Sequence, residues 1–168
     1  MEFEGDDVSR MEFRIRRMTA EDVEAIADAF ANFGKTRAQY ERYFAEQGRG
    51  ERLTLLAVAA GGRVVGYANV LWRSAYPHFR REGVPEINDL NVVEEARCRG
   101  VGTALIREAE GIVAARGLAV IGIGVGLTPD YAAAQRLYPK LGYVSDGRGV
   151  HSSPPWDDAV YLTKTLPP

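Results

Sequence analysis

The chain has 168 residues and a formal net charge of −2, and 46% of its residues are hydrophobic and 26% charged, as in a globular protein with one full core. This charge gives no reason to expect a nucleic-acid partner, and no apolar run approaches the roughly 20 residues of a membrane-spanning helix, so no membrane contact is expected. The single cysteine, Cys98, excludes an internal disulfide and fits the cytoplasm, and no Cys/His spacing predicts a metal site.

Strands and helices are predicted along most of the chain. Residues 1–10 are predicted as a polar leader without the features of a signal peptide, and residues 11–168 as one domain. In chain order, the predicted elements are a strand near 13–16, helices near 22–33 and 36–47, strands at 53–59 and 64–72, a polar loop at 74–85, a strand at 87–93, a helix near 100–116, a strand at 118–127, a helix near 130–141, and strands near 143 and at 159–165. Gly61 and Gly62 predict a hairpin between two apolar runs. This order predicts an α/β layered fold.

A glycine-bearing turn, Arg-Cys-Arg-Gly-Val-Gly at residues 97–102, joins a predicted strand to a predicted helix. Backbone N–H groups at a helix start have no intrahelical partner, and the helix dipole adds positive potential there. Gly100 and Gly102 let the backbone approach a phosphate closely, and Arg97 and Arg99 supply charge. We therefore predict a phosphate cradle made by the N–H groups of Arg99, Gly100, Val101, Gly102 and Thr103.

A second segment, Ala-Gln-Arg-Leu-Tyr-Pro-Lys-Leu-Gly-Tyr at residues 134–143, indicates which molecule carries the phosphate. Together with the turn and the Leu-x-Val before it, this segment resembles the motifs of the GNAT family of acetyl-CoA-dependent N-acetyltransferases. The matching positions are Leu90, Val92, Arg97, Gly100, Gly102, Ala134, Leu137, Tyr138, Leu141, Gly142 and Tyr143. The resemblance implies the GNAT (acyl-CoA N-acyltransferase) fold, with a mixed, mostly antiparallel central sheet, helices on both faces, and two central strands that splay to admit acetyl-CoA.

The resemblance also implies where acetyl-CoA binds and how it reacts. Main-chain groups of the Leu-x-Val strand pair with the pantetheine arm and the acetyl carbonyl, and the turn holds the pyrophosphate. The residues implied for cofactor binding are Leu90, Asn91, Val92, Arg97, Cys98, Arg99, Gly100, Val101, Gly102, Thr103, Ala134 and Tyr138. Because the acetyl group passes directly to an amine, no acyl-enzyme forms and Cys98 is not expected to be a nucleophile.

Two residues are candidates for proton transfer. Tyr138 matches the tyrosine that is the usual general acid of the family, although its helical spacing with Leu137 and Leu141 also fits a packing role. Glu86 lies four residues before Leu90, on the same strand face by period-two alternation, and is the candidate base. Asp89 is expected on the opposite face and is the weaker candidate, and a water relay in place of Glu86 stays open.

Three positions depart from the family pattern or from a regular element. Tyr131 stands where the family often has asparagine, which puts one hydrogen bond to CoA in doubt. Pro139 follows Tyr138 and is expected to kink or end the helix. A misplaced Tyr138 would favour a different class of protein, a catalytically weak acyl-CoA-binding sensor or regulatory module of the same fold. Glycines alternate in the strand at 118–127, and we interpret them as places where backbone or ligand approaches closely.

The acceptor is expected to be an amine of a small molecule or of a protein. The regions where the family varies are residues 33–47, 74–85 and 149–156. Their aromatic and acidic side chains suit a cationic small amine, and the ones considered are Phe33, Tyr40, Tyr43, Phe79, Trp156, Glu82, Glu86 and Asp89. The frequent dimerisation of the family also allows a homodimer.

Overall fold

The structure is a computed structural model in which residues 11–168 are described. The strands are β1 (Phe13–Arg17), β2 (Arg52–Ala59), β3 (Val64–Leu71), β4 (Glu86–Val92), β5 (Val120–Gly126), β6 (Val144–His151) and β7 (Ala159–Thr165). The helices are α1 (Val23–Ala29), α2 (Arg37–Gly48), α3 (Pro77–Glu82), α4 (Val101–Ala115) and α5 (Ala132–Lys140). The predicted polar leader at residues 1–10 lies outside the described residues.

Helix α3 corrects one prediction, since residues 74–85 were expected to form a loop. Pro77 occupies the first helical turn, where its missing N–H costs nothing, and Gly83 ends the helix in the left-handed conformation at φ +69°. Phe79 in the middle of the helix is fully buried. The buried Phe79 side chain, with Pro77 and Gly83 at the two ends, is sufficient to stabilise a helix of about one and a half turns. A helix this short shows no helical periodicity in the sequence.

The strands form one seven-stranded sheet in the order β1-β2-β3-β4-β5-β7-β6. Only the β4–β5 pairing is parallel, and all the other pairings are antiparallel. The predicted hairpin connects β2 to β3, and Gly61 and Gly62 both have positive φ there. The mixed, mostly antiparallel sheet is therefore confirmed.

Helices cover both faces of the sheet. On one face, the ring of Tyr67 in β3 packs edge-on against two aromatic rings. These rings belong to Phe30, which directly follows α1, and to Tyr40 in α2. On the other face, the neighbouring Gly66 lies against Val101 and Leu105 of α4 so closely that an added Cβ would touch both. Since successive residues of a strand point to opposite faces, α1 and α2 lie on one side and α4 on the other.

No helix within residues 11–168 is both long and apolar enough to cross a membrane. In the same part of the chain, no three His, Cys, Asp or Glu side chains are grouped so that they could hold a metal ion.

Candidate active site

A gap opens between β4 and β5 after their first residues. The two strands pair only at Glu86–Gly122 and Ile87–Ile123 and then diverge, so the splay implied by the family resemblance is present. On its other side β4 stays joined to β3, and the Val93 N–H just beyond the strand donates to Val65 O at 3.0 Å. Because neighbouring N–H groups of a strand point in opposite directions, the Val92 N–H points into the gap.

The turn at residues 97–103 stands at the open end of this gap. Cys98 and Gly100 adopt positive φ, +59° and +83°, and Gly100 is the N-cap of α4. Among the described residues, the N–H groups of Arg99, Gly100, Val101, Gly102 and Thr103 donate to no protein acceptor. These five donors lie at the positive end of a 15-residue helix, an arrangement that suits an anionic group.

The start of α4, the end of β4 and helix α5 meet at Gly102. A Cβ added to Gly102 would lie 3.9 Å from a methyl group of Leu137 and 4.0 Å from one of Val92. Ala134, one turn before Leu137, packs half-buried against the core. The two halves of the sequence motif, separated by more than 30 residues along the chain, therefore border the same end of the gap.

Tyr138 is a buried side chain on α5, 6% exposed. Burial raises the pKa of its phenol to about 12, so the hydroxyl is protonated at neutral pH. The hydroxyl forms no hydrogen bond with another residue in the described part of the chain, and it is available to a bound molecule. Helix α5 continues through Pro139 and ends at Lys140. Gly142 beyond it has φ +97° and the Tyr143 N–H donates to Tyr138 O at 3.1 Å, so a glycine stop, and not Pro139 alone, accounts for the end of the helix.

Glu86 begins β4 and is 4% exposed. Burial raises the pKa of its carboxyl to about 7, partly opposed by the Ser74 hydroxyl. Glu86 lies where the two strands still pair, at the closed end of the gap. Four residues of strand, about 13 Å, separate it from Leu90, so it is not adjacent to the open end.

A β-bulge in β4 overturns the expected orientation of Asp89. Asn69 and Tyr67 of β3 are two residues apart, yet they pair with Asn88 and Asn91, three residues apart. Asp89, at φ +52°, is in a left-handed conformation that aspartate tolerates better than most residues. The extra residue interrupts the period-two alternation, and the Asp89 carboxylate contacts the side chains of Tyr67 and Asn91. This places it on the Glu86 face, and the prediction of opposite faces was wrong. The prediction that Leu90 shares the Glu86 face was also wrong, because beyond the bulge Asn91 takes the Glu86 face and Leu90 and Val92 take the other.

The Asp89 carboxylate is fully engaged by protein donors. It accepts from the Lys35 ammonium, from the Tyr43 and Tyr67 hydroxyls at 2.8 Å each, and from the Asn91 amide at 2.9 Å. Burial raises the pKa of Asp89, but the Lys35 ammonium and the two hydroxyls outweigh it, so the pKa is below its usual value. Lys35 and Tyr67 were not expected at the site, and no local signal in the sequence joins residues so distant along the chain.

The alternating glycines of β5 make room for aromatic rings. A Cβ at Gly122 would overlap the ring of Phe79, one at Gly124 the ring of Tyr161, and one at Gly126 the ring of Tyr131. The close approach expected at these glycines is therefore present, but side-chain rings make it. Because Gly122 pairs with Glu86, the three rings lie on the Glu86 face beside the gap, and we call them the aromatic wall.

The model of the acetyltransferase (GNAT) family matches residues 20–143. A search of curated protein sequences finds no significant match.

Several solved structures share the fold. An N-acetyltransferase from Staphylococcus aureus Mu50 superposes with a TM-score of 0.73 at 18% identity, covering 93% of this chain and 99% of that chain. PaiA N-acetyltransferase from Thermoplasma acidophilum, in complex with coenzyme A, gives 0.68 at 16% identity over 93% and 100% of the two chains. An aminoglycoside 6'-N-acetyltransferase complexed with coenzyme A gives 0.69 at 21% identity over 92% and 98%.

Proposed function

The chain belongs to the GNAT acetyltransferase family, and from this premise we propose that it is an N-acetyltransferase that moves the acetyl group of acetyl-CoA directly to an amine. No covalent acyl-enzyme forms in this proposal. The observation that carries it is the gap between β4 and β5 with five free N–H donors at its open end. We place its action in the cytoplasm, in keeping with its single cysteine.

Acetyl-CoA, the co-substrate, fits the donors that border the gap. The free N–H groups of residues 99–103 suit a pyrophosphate, and Arg97 and Arg99 add positive charge beside them. The thioester then lies along the second half of β4. There the Val92 N–H points toward the oxygen that becomes negative when the amine attacks, and a fixed donor at that position lowers the barrier.

Tyr138 is proposed as the general acid. When the tetrahedral intermediate collapses, the C–S bond breaks and the sulfur of CoA leaves as a thiolate. With its pKa raised to about 12, Tyr138 keeps its proton at neutral pH and can donate it to that sulfur. Its lack of a protein hydrogen-bond partner within residues 11–168 supports this role over a purely packing role.

Glu86 is proposed as the base that receives the proton of the amine. A pKa of about 7 is close to the working pH, where a general base is most effective. Asp89 lies closer to the open end, but four donors stabilise its charged form, and a carboxylate so stabilised is a poor base. Because Glu86 is about 13 Å from Leu90 along the strand, one or more water molecules are proposed to carry the proton between them.

The acceptor is proposed to be a cationic amine that approaches the exposed end of the aromatic wall, at Tyr131. Aromatic faces attract ammonium groups, and the Tyr131 hydroxyl at the end of the wall donates to Asp157 at 3.2 Å. Trp156, next to Asp157, is 76% exposed. These groups suit either a small cationic molecule or a lysine or N-terminal amine of a protein.

The experiment that tests the proposed function follows the release of CoA thiol from acetyl-CoA with different acceptors. The panel contains polyamines, lysine-containing peptides, peptides with a free N-terminus, and neutral amines. Release that depends on an amine, together with a mass increase of one acetyl group on that amine, is expected. Binding of acetyl-CoA without transfer to any member of the panel would instead support the CoA-binding sensor.

A further inference from the structure

Three arginines surround a small cavity near the end of β1 and the start of β2. The cavity lies at the opposite end of α4 from the turn at residues 97–103. The cavity has a volume of about 60 Å³, and its wall includes Arg17, Arg52, Trp72 and Arg116. Arg116 is the C-cap of α4, whose N-cap is Gly100 in the turn. Since α4 has 15 residues, its length of about 22 Å separates the cavity from the turn.

Two of the three arginines carry positive charge that protein carboxylates do not neutralise. Within residues 11–168, Arg17 and Arg116 form no ion pair. Arg52 donates through Nε to Glu46, but its Nη1 is buried and has no hydrogen-bond acceptor in this part of the chain. Buried donors are nearly always satisfied in native proteins, and the Arg52 guanidinium at the cavity wall keeps hydrogen-bonding capacity that the described residues do not use.

The other polar and aromatic groups of the wall are already held in place. The Gln47 amide donates to Met18 O at 2.9 Å and accepts from the Thr54 N–H at 3.0 Å, so it has a structural role. The guanidinium of Arg116 lies 3.4 Å from the centre of the Trp72 ring. These contacts fix the wall and leave guanidinium N–H groups as the unused hydrogen-bonding capacity at the cavity.

We propose that this cavity binds a small oxyanion, the phosphate or carboxylate group of a free metabolite, at a site separate from that of acetyl-CoA. Guanidinium groups match the spacing of two oxygens on one phosphorus or carbon atom and form charge-assisted hydrogen bonds with them. The volume of about 60 Å³ exceeds the roughly 10–15 Å³ that one water needs. This proposal rests on the cavity alone and stands independently of the acetyl-transfer reaction.

Arg52 also connects the cavity to the candidate active site. Its guanidinium lies 4.1 Å from the centre of the Tyr43 ring, and the Tyr43 hydroxyl donates to Asp89 at 2.8 Å. The oxyanion site is therefore two side-chain contacts away from the bulge in β4, although it lies outside the gap.

The test uses Trp72 as a reporter of the cavity. The chain has two tryptophans, and in the variant Trp156→Phe only Trp72 contributes tryptophan fluorescence. This protein is titrated with sodium phosphate, sodium sulfate and sodium acetate at a constant ionic strength set with sodium chloride, with and without saturating acetyl-CoA. A saturable change in emission that is the same in the presence of acetyl-CoA is expected with at least one of these anions. A comparison of the affinities for phosphate and sulfate with the affinity for acetate then distinguishes a phosphate-type ligand from a carboxylate ligand.

Two arginines of the same strand provide the variant and its control. Arg17→Gln, at the cavity, is expected to weaken anion binding on the order of tenfold, the loss of one charge-assisted contact. Arg14→Gln removes another exposed charge from β1 that does not line the cavity, and this variant should bind the anion as tightly as the parent protein does. The proposal is overturned if no anion gives a saturable change, if acetyl-CoA abolishes it, or if both variants behave alike.

Discussion

At the scale of single residues, Tyr138 and Glu86 have opposite protonation requirements, and burial raises the pKa of both. A pKa of about 12 keeps the phenol of Tyr138 protonated, as a general acid requires. A pKa of about 7 leaves a substantial fraction of Glu86 ionised near neutral pH, as a general base requires. The same physical cause, desolvation, therefore suits each group to a different step of the proposed reaction.

Tyr138→Phe removes only the proton donor. We expect kcat to fall by about 10²- to 10⁴-fold, with little change in the affinity for acetyl-CoA, when thiol release is measured at saturating substrate. Tyr143→Phe is the matched control, because its ring lies 6.3 Å from that of Tyr138 and its hydroxyl bonds to the buried Glu110. The control should lower thermal stability and leave kcat nearly unchanged. An equal loss of kcat in both variants would rule out a specific role for Tyr138.

Glu86→Gln removes the proposed base. The parent protein should show kcat/KM rising with pH through about 7, as Glu86 loses its proton, and this limb should be absent from the variant. Glu108→Gln, an exposed carboxylate on α4, should keep it. A rising limb near pH 7 that survives in Glu86→Gln would assign the base to another group.

The raised pKa of Glu86 also has a consequence for stability. The folded state binds this proton more tightly than the unfolded state, whose carboxyl has the ordinary value of 4.5. The contribution to the free energy of unfolding is therefore complete below about pH 4.5 and is lost as the pH rises through about 7, an effect of up to about 3 kcal/mol. The stability of Glu86→Gln relative to the parent protein should increase over this interval in urea unfolding. A constant difference between the two proteins would contradict the raised pKa.

At the scale of elements, β5 and α3 depend on each other through a glycine and a ring. Gly122 has no side chain because Phe79 of α3 occupies that space, and Phe79 is in turn the buried anchor of α3. Local patterns predicted β5 and α4 because their apolar residues repeat regularly. They could not predict α3 or the bulge at Asp89, since both depend on contacts with distant parts of the chain.

Gly122→Ala is expected to destabilise the protein by about 1–3 kcal/mol, because the added methyl group overlaps a fully buried ring that has no room to move. Gly111→Ala, in the middle of α4 with no atom within 4 Å of its added Cβ, should instead stabilise by about 0.5–1 kcal/mol through helix propensity. Urea unfolding midpoints at constant m-value measure both. Equal changes in stability for the two substitutions would show that the packing of the Phe79 ring does not require glycine at position 122.

At the scale of the whole molecule, the two proposed anion sites lie at opposite ends of the strands. The turn at residues 97–103 was predictable from sequence because its glycines, arginines and helix start are contiguous. The arginine cavity was not, since Arg17, Arg52 and Arg116 come from β1, β2 and the end of α4 and meet only in the folded sheet. The Asp89 cluster was unpredicted for the same reason, because Lys35 is 54 residues away from its partner.

The measurement that tests the central claim most directly is the thermal stability of the protein with acetyl-CoA, beside CoA, ATP and NAD at equal concentration. A ligand that binds only the folded state, at about 100 times its dissociation constant, adds roughly 2.7 kcal/mol, a rise in Tm of roughly 5–10 °C for a chain of this size. The gap between β4 and β5 and the free donors of residues 99–103 predict such a rise with acetyl-CoA and CoA and a much smaller one with ATP or NAD. No rise with either CoA species, or an equal rise with all four ligands, would contradict the assignment of this gap to acetyl-CoA.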